Sequence, residues 1–353
     1  MWTIRDDNMV KQLKMKNFRG VKNGEIELGD LTILIGSNNS AKTTILEALF
    51  LLPNPLRYVP YYDQRGDFTA ALLIHEMHKT LDSQGYGFLL NKYIADEAEI
   101  EGDNNYLKFV KNDYSIFMST KSNSNFKTSS ITIQKGEIDY FGKLEQSNEG
   151  SELTTPENRN KLITPDSLLI SSEFTKFAYS YIHRNWGNIM NLGIMKEVAK
   201  DISRLVNEKY INITIEPFMG GRLSIFGFLE DGSRIRLGDL GYGVQIYLIS
   251  RVLYELKKPK ILLWDDFEAH LNPRMLIRIG EWFSELIENG VQIVVSTHSL
   301  EAVKILSEFN RNAVIYLTSL DDGILEKRKL SIEEIDNLLS AGIDVRLADS
   351  MLL

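Results

Sequence analysis

The eight residues Gly36–Ser37–Asn38–Asn39–Ser40–Ala41–Lys42–Thr43 constrain this chain more than any other stretch. They follow a short apolar run, Leu31 to Ile35, bounded by Gly29–Asp30, which reads as a buried central strand. They lead into a run from Lys42 to Phe50 in which Ile45, Leu46, Ala48 and Leu49 share one side of a helix, ended by Pro53 and Pro55. Strand, tight turn and helix form the context that G-x-x-x-x-G-K-[ST] requires, and every fixed position matches except one. Ala41 stands where the second glycine is expected. The turn exposes successive backbone N–H groups toward a phosphate, and the helix N-terminus adds a favourable field. Lys42 is the candidate for the β- and γ-phosphates, and the Thr43 hydroxyl for magnesium. Ala41 costs little if the local backbone is right-handed; if the turn needs a positive φ, it strains the loop.

A second candidate site element lies far downstream. Ile261–Leu262–Leu263–Trp264 is an apolar strand that ends in Asp265 and Asp266. Alone this is a buried strand reaching a loop. Paired with an upstream phosphate loop it reads as the acidic strand of the same site, with Asp265 holding magnesium directly or through water. Asp266 then falls where a carboxylate would orient or deprotonate the attacking water, and Glu268 is the second candidate base. Aspartate is one methylene shorter than glutamate, and geometry near the ångström scale governs such steps, so slow turnover is expected. The next strand, Val291 to Ser296, delivers Thr297–His298–Ser299, and His298 is positioned to meet a γ-phosphate or the water.

The rest of the chain supplies the frame. Val10 to Phe18 reads as a strand with Leu13, Met15 and Phe18 apolar between lysines. Phe68 to Leu81 reads as a helix; His75 and His78 lie three apart there, but without a further ligand they read as ordinary helix surface. Tyr106–Phe109, Tyr114–Met118 and Ser129–Tyr140 predict an antiparallel sheet, Glu145 to Asn160 a loop, and Ser172 to Lys209 mostly helix, interrupted near Gly187 and Gly193. Ile211–Ile215, Leu223–Phe228 and Ser233–Leu237 return to strand, with a turn at Asp231–Gly232. The last third alternates strand and helix: Ile261–Trp264, Pro273–Ile287, Val291–Ser296, Ser299–Phe309, Ala313–Leu317. That order predicts an α/β fold with a mostly parallel sheet covered by helices.

Composition narrows the function classes. With no cysteine among 353 residues, zinc–thiolate sites and disulfides are excluded. A formal net charge of -8 argues against a uniformly basic surface but leaves a local groove open. Glu326–Lys327–Arg328–Lys329 reads as a solvated face. The N-terminus lacks the apolar run of a signal peptide and no segment has the roughly 20 apolar residues that span a bilayer, so a cytoplasmic location without membrane insertion is the default.

Together these motifs resemble the ABC-type ATPase heads of the RecF, SMC and OLD-like AAA-ATPase group. Leu13 to Gly20, with Asn17–Phe18–Arg19, is similar to that group's opening strand, and Gly36 to Thr44 to its G-x-N-x-x-G-K-[ST]-[ST] loop apart from Ala41. Leu237 to Gln245 resembles its divergent signature L-S-D-x-G-x-G-x-Q, with Gly238 in place of serine. Asp265 to Pro273 resembles D-E-P-E-x-x-L-H-P, departing at Asp266, Phe267 and Asn272; His298 matches the switch histidine, and Gln64 is a candidate for the Q-loop.

The resemblance implies an α/β P-loop NTPase head made of residues 1–55 and 211–353, with 56–210 as an inserted region of strands followed by a mostly helical lid or arm. It implies ATP and magnesium as ligands. Nucleotide contacts would come from Arg19, the loop from Gly36 through Ser37, Asn38, Asn39, Ser40, Ala41, Lys42 and Thr43 to Thr44, and the partner's Gly241 and Gly243 in a homodimer. Lys42, Asp266, Glu268 and His298 are the expected catalytic residues, and Thr43 and Asp265 the metal ligands. DNA, and a nuclease or effector acting in trans, are the implied partners, since the stretch after Leu317 is too short for the Toprim nuclease domain of OLD proteins. Two alternatives stand beside this reading. One is a nucleotide-gated module with little turnover, suggested by Ala41, Gly238 and Asp266. The other is a transporter ATPase, disfavoured by the divergent signature and the large middle region.

Overall fold

The computed structural model describes residues 9–63, 66–81, 85–103, 105–111, 115–121, 131–134, 162–206 and 208–353. Strands β1 (Gln12–Phe18), β2 (Val21–Glu27) and β3 (Leu31–Ile35) lead into helix α1 (Lys42–Leu51). Next come β4 (Tyr58–Asp63), β5 (Gly66–Thr69), α2 (Ala70–His78), β6 (Glu97–Gly102), β7 (Asn105–Lys111), β8 (Ser115–Lys121) and β9 (Ile131–Gln134). Strand β10 (Ser167–Ile170) precedes three helices, α3 (Thr175–Arg184), α4 (Trp186–Leu192) and α5 (Met195–Val206). A small sheet of β11 (Tyr210–Pro217), β12 (Leu223–Leu229) and β13 (Arg234–Arg236) follows. The last third alternates α6 (Tyr242–Lys257), β14 (Ile261–Trp264), α7 (Pro273–Glu288), β15 (Gln292–Ser296) and α8 (Leu300–Phe309). It closes with β16 (Val314–Asp321), β17 (Ile324–Leu330), α9 (Ile332–Ser340) and α10 (Asp349–Leu352).

One 12-stranded sheet organises the molecule, in the order β10-β14-β15-β3-β16-β17-β2-β1-β6-β7-β8-β9. From β10 to β16 the strands are parallel. Every residue of β3, β14 and β15 is buried, as expected of strands covered on both faces. Because β15 lies between β3 and β14, the loops carrying Lys42, Asp265 and His298 leave adjacent strands at one edge. Open parallel sheets bind ligands at that carboxyl edge. The other half is largely antiparallel and shows the alternation of a half-solvated sheet, as in β6, where Ala98, Ile100 and Gly102 are buried and the glutamates between them are not.

Helix starts follow from their sequences. Asn272 caps α7 by accepting from the Met275 N–H at 3.0 Å, with Pro273 in the first turn. Ser299 caps α8 through the Ala302 N–H at 3.1 Å.

Strands β2, β4, β5, β6, β10 and β17 were not foreseen. In β2 and β17, Lys22, Glu25, Glu27 and Glu326 to Lys329 hide the pattern, although Val21, Ile26, Leu325 and Leu330 are buried between them. The 326–329 cluster, read as a solvated face, is a largely exposed stretch of strand. Strand β10 is short and wholly buried beside β14.

The expected lid is only partly helical. Strands β6 to β9 extend the main sheet outward from β1, and β10 forms its opposite edge. The sheet therefore runs across both expected boundaries, and among the described residues α2 and α3 to α5 are the α-helices of this region. The physical reason is pairing: β6 lies along β1 from Leu13↔Gly102 to Lys16↔Glu99, which buries Ala98 and Ile100 in the same core. Gln64, Tyr114 and the 145–160 segment lie outside the described residues.

A buried ionic knot joins the helices around α6. Asp201 on α5 accepts from Tyr247 Oη at 2.9 Å and from Arg251 Nη1 at 3.3 Å, both on α6, and pairs with Arg278 Nη2 of α7 at 2.8 Å. Among the described residues, removing the carboxylate leaves the buried Arg251 guanidinium without an ionic partner and Arg278 with Glu281 alone, at 2.8 Å. We predict that Asp201→Ala lowers the unfolding free energy by about 3 kcal/mol in urea denaturation. A loss under about 1 kcal/mol, the scale of a surface pair, would show that the knot is solvated.

Candidate functional site

The phosphate loop closes tightly on itself. A Cβ on Gly36 would fall 2.4 Å from the Thr318 carbonyl oxygen and 2.8 Å from Ser40 Oγ, so only glycine fits there. Thr318 Oγ1 donates to the Ile35 carbonyl at 3.3 Å and lies 3.4 Å from Ser40 Oγ, fixing the loop to β16. Lys42 Nζ donates to the carbonyls of Gly36 (3.1 Å) and Ser37 (2.8 Å) and to Ser40 Oγ (3.2 Å). Burial lowers the Lys42 pKa, opposed by the charges of Asp266, Asp265 and Glu268. Asn38 and Asn39 are exposed, while Ser37, Thr43 and Thr44 are half-buried.

Ala41 takes the costly alternative. It caps α1 at φ 69°, ψ 5°, in the left-handed region, where a Cβ costs about 1–2 kcal/mol. The missing glycine is thus a real departure, and the strain sits one residue before Lys42.

The acidic strand end reaches the loop. Thr43 Oγ1 donates to Asp265 Oδ2 at 2.8 Å, and Ser296 Oγ donates to Asp265 Oδ1 at 2.5 Å. Ser296 Oγ also accepts from the Asp266 N–H at 2.8 Å. One serine at the end of β15 therefore orients both aspartates. Sequence reasoning passed over Ser296; its only signal was a hydroxyl closing an otherwise apolar strand. Burial pushes the Asp265 carboxyl up to about 6; the hydrogen bonds from Ser296 and Thr43 oppose this, and the charges of Asp266 and Glu47 add to it.

The two candidate bases separate by their partners. Glu268 is committed: its Oε2 accepts from Thr297 Oγ1 at 2.6 Å and its Oε1 from the His298 N–H at 2.7 Å. It holds the loop that carries His298. Asp266 is exposed, its carboxylate has no hydrogen-bond partner among the described residues, and its charge acts on Lys42 more strongly than that of Asp265 or Glu268. Phe267, in place of the family's proline, is fully buried against Trp264 and Phe283 and anchors the turn.

Arg19 lies behind the loop helix. Its Nη1 is 2.7 Å from the Glu47 carboxylate on α1, a side chain 1% exposed, and His78 Nε2 contacts the same carboxylate. His78 is therefore the partner of a buried acid rather than plain helix surface. Glu47 was not foreseen, because a lone glutamate on an apolar helix face looks like a solvated position.

The signature segment splits into two parts. Gly238 and Gly241 are exposed with open space around them, and Asp239 is held by Arg236 through bonds of 2.7 and 2.6 Å. Gly243 is buried, and a Cβ there would fall 2.4 Å from the His270 carbonyl oxygen. It packs α6 against the turn after β14, which leaves Gly241, like Gly238, open to another molecule.

These residues fit magnesium-bound ATP. The loop is a cradle that a Cβ at Gly36 would fill, its lysine is desolvated, and Thr43 and Asp265 offer hard oxygen donors side by side. No cluster of three or more His, Asp or Glu side chains among the described residues forms a cage of its own. Two protein oxygens supplemented by phosphate oxygens is the pattern magnesium prefers.

Two outcomes follow. Ala41→Gly relieves the left-handed strain but loosens the unfolded chain, for a net gain of about 1 kcal/mol by urea denaturation without nucleotide; a loss of stability would contradict the loop geometry. Asp265 has its folded pKa raised from 3.8 to about 6, so the folded chain holds a proton that the unfolded chain has released. The stability this group contributes is present below pH about 4 and lost as pH rises through about 6. Without magnesium, Asp265→Asn should remove that slope and raise stability at pH 7 by up to about 3 kcal/mol. A less stable variant would refute the burial cost.

Residues 31–304 match the family described as "AAA domain, putative AbiEii toxin, Type IV TA system". The chain is 25% identical over 218 residues to an uncharacterized protein of Methanocaldococcus jannaschii, a match covering 57% of this chain and 87% of that protein. It is 24% identical over 181 residues to the Old nuclease of Escherichia phage P2, covering 45% of this chain but 30% of the nuclease. Among solved structures, an SMC head bound to the C-terminal winged-helix domain of ScpA aligns over 92% of this chain and 98% of that one, with a TM-score of 0.50 at 15% identity. That likeness is one of fold. No described helix is long and apolar enough to cross a membrane. With most of its length matched and its phosphate loop at the carboxyl edge of a parallel sheet, the chain belongs to this AAA-domain family of P-loop ATPases.

Proposed function

We propose that the chain is an ATP-hydrolysing ABC-type head that closes as a head-to-tail homodimer around two ATP molecules. The observation that carries this reading is the Thr43–Asp265–Ser296 chain of hydrogen bonds beside a desolvated Lys42. Lys42 leaves the loop carbonyls to meet the β- and γ-phosphates, and Thr43 and Asp265 hold magnesium. When bound, that ion neutralises charge building on the phosphate oxygens. Asp266, the carboxylate without a partner, accepts a proton from the attacking water. As the water oxygen bonds to the γ-phosphorus, the bond to the β–γ bridging oxygen breaks, giving ADP and phosphate. Glu268 holds the Thr297–His298 loop, from which His298 faces the γ-phosphate. Gly241 of the second copy completes the site from the exposed signature segment.

The resemblance to OLD-like and SMC-type heads, and the match to a nuclease over part of its length, support a target that is DNA or a partner acting on it. Repair, chromosome or plasmid maintenance, and anti-phage defence fit equally, and a nuclease or effector in trans fits each. A slow, nucleotide-gated binding module is the second reading. It is favoured by the left-handed Ala41 and by an aspartate where a longer glutamate is usual.

Phosphate release separates the two. We expect magnesium-dependent turnover that Lys42→Ala abolishes, together with Asp266→Asn chains that light scattering finds dimeric in ATP and monomeric without it. A nucleotide-loaded Asp266→Asn chain that stays monomeric would sink the dimer. Release unaffected by Lys42→Ala would sink the site.

A further inference from the structure

The segment after α9 turns back onto the loop that carries His298. Its course is fixed first by the helix end: the Gly342 N–H donates to the Leu339 carbonyl at 2.9 Å and the Ile343 N–H to the Leu338 carbonyl at 2.8 Å. Val345, fully buried, then pins the segment to the core. Asp344 and Arg346 flank that peg and grip each other. Arg346 Nε and Nη2 donate to the two carboxylate oxygens of Asp344 at 2.9 and 2.5 Å, and the Arg346 N–H donates to Oδ1 at 3.0 Å. The fork leaves Arg346 Nη1 aimed one way, and it donates to the His298 carbonyl at 2.7 Å.

His298 is thus held at both of its backbone polar groups. Its N–H meets the Glu268 carboxylate and its C=O meets the Arg346 guanidinium, both charge-assisted bonds. Thr297, whose hydroxyl also donates to Glu268, accepts from the Ser299 N–H at 3.0 Å, and Ser299 caps α8. Only the imidazole is left without a hydrogen bond among the described residues. A backbone clamped on both sides of one residue sets the direction in which that side chain leaves the loop.

We infer that Arg346 is a positioning residue for His298, acting through the His298 carbonyl and held in place by Asp344. The inference rests on the proposed role of His298 at the γ-phosphate. It adds a contribution from a segment beyond the alternating strands and helices that build the site. Preorganising a catalytic group in this way matters because misplacement on the ångström scale is costly in rate.

The test uses the full chain with carbon-labelled histidine. The sequence has 5 histidines, so the imidazole signals are few, and His298→Gln assigns one set. In Arg346→Ala the His298 ring signals should shift or broaden while those of His75, His78, His183 and His270 stay in place, which also shows that the variant is folded. Lys42-dependent turnover should fall about tenfold in kcat with KM within about twofold, and Arg346→Lys, which keeps one donor, should recover part of it. In a His298→Gln background, Arg346→Ala should cost nothing further in kcat. Unmoved His298 signals in Arg346→Ala, or an equal kcat loss in both backgrounds, would overturn the inference. A chain without Lys42-dependent turnover would instead overturn the proposed function, and the ring signals would still decide the role of Arg346.

Discussion

One half-buried carboxylate organises the site. Asp265 is shared by Thr43, in the first turn of α1, and by Ser296, which ends β15. The strand order makes this possible, because β15 lies between the phosphate-loop strand and the acidic strand. Three consecutive strand ends therefore meet through one side chain. Taking that carboxylate out of water is unfavourable, as its raised pKa records, and a divalent cation is the natural compensation. The same serine that orients Asp265 holds the backbone of Asp266, so the expected metal ligand and the expected base are set by one hydroxyl.

The chemistry departs from the efficient pattern at points that the fold does not repair. Ala41 sits in a left-handed conformation that its Cβ opposes, immediately before the phosphate-binding lysine. Asp266, at φ 46°, is also left-handed and carries a shorter arm than glutamate. Glu268 does not substitute for it, since both its oxygens hold the His298 loop. The exposed Gly241 and the buried Gly243 divide the signature segment between an outward surface and an internal packing contact.

Much of the parallel half was legible because its signals are local. An apolar run ending in Gly36, another ending in Asp265–Asp266, and a third ending in Ser296 before His298 each declare a strand and a site loop together. What was not legible depends on pairing at a distance. Strands β2 and β17 carry charge on their solvent faces, and only their place in the sheet makes them strands. The lid seemed separate in sequence because β6 lies about eighty residues from β1, its partner. The conformation of Ala41, the commitment of Glu268 and the reach of Arg346 to His298 follow from contacts that no local pattern encodes.

The central claim is that Lys42 holds the phosphates while Thr43 and Asp265 hold the metal, and calorimetric titration of ATP with and without magnesium tests it most directly. The account predicts one ATP per chain, bound more tightly with magnesium. Thr43→Ala and Asp265→Ala should bind ATP with the magnesium advantage gone, and Lys42→Ala should not bind it. Binding that is indifferent to magnesium in the unaltered chain, or equal across all four proteins, would contradict it.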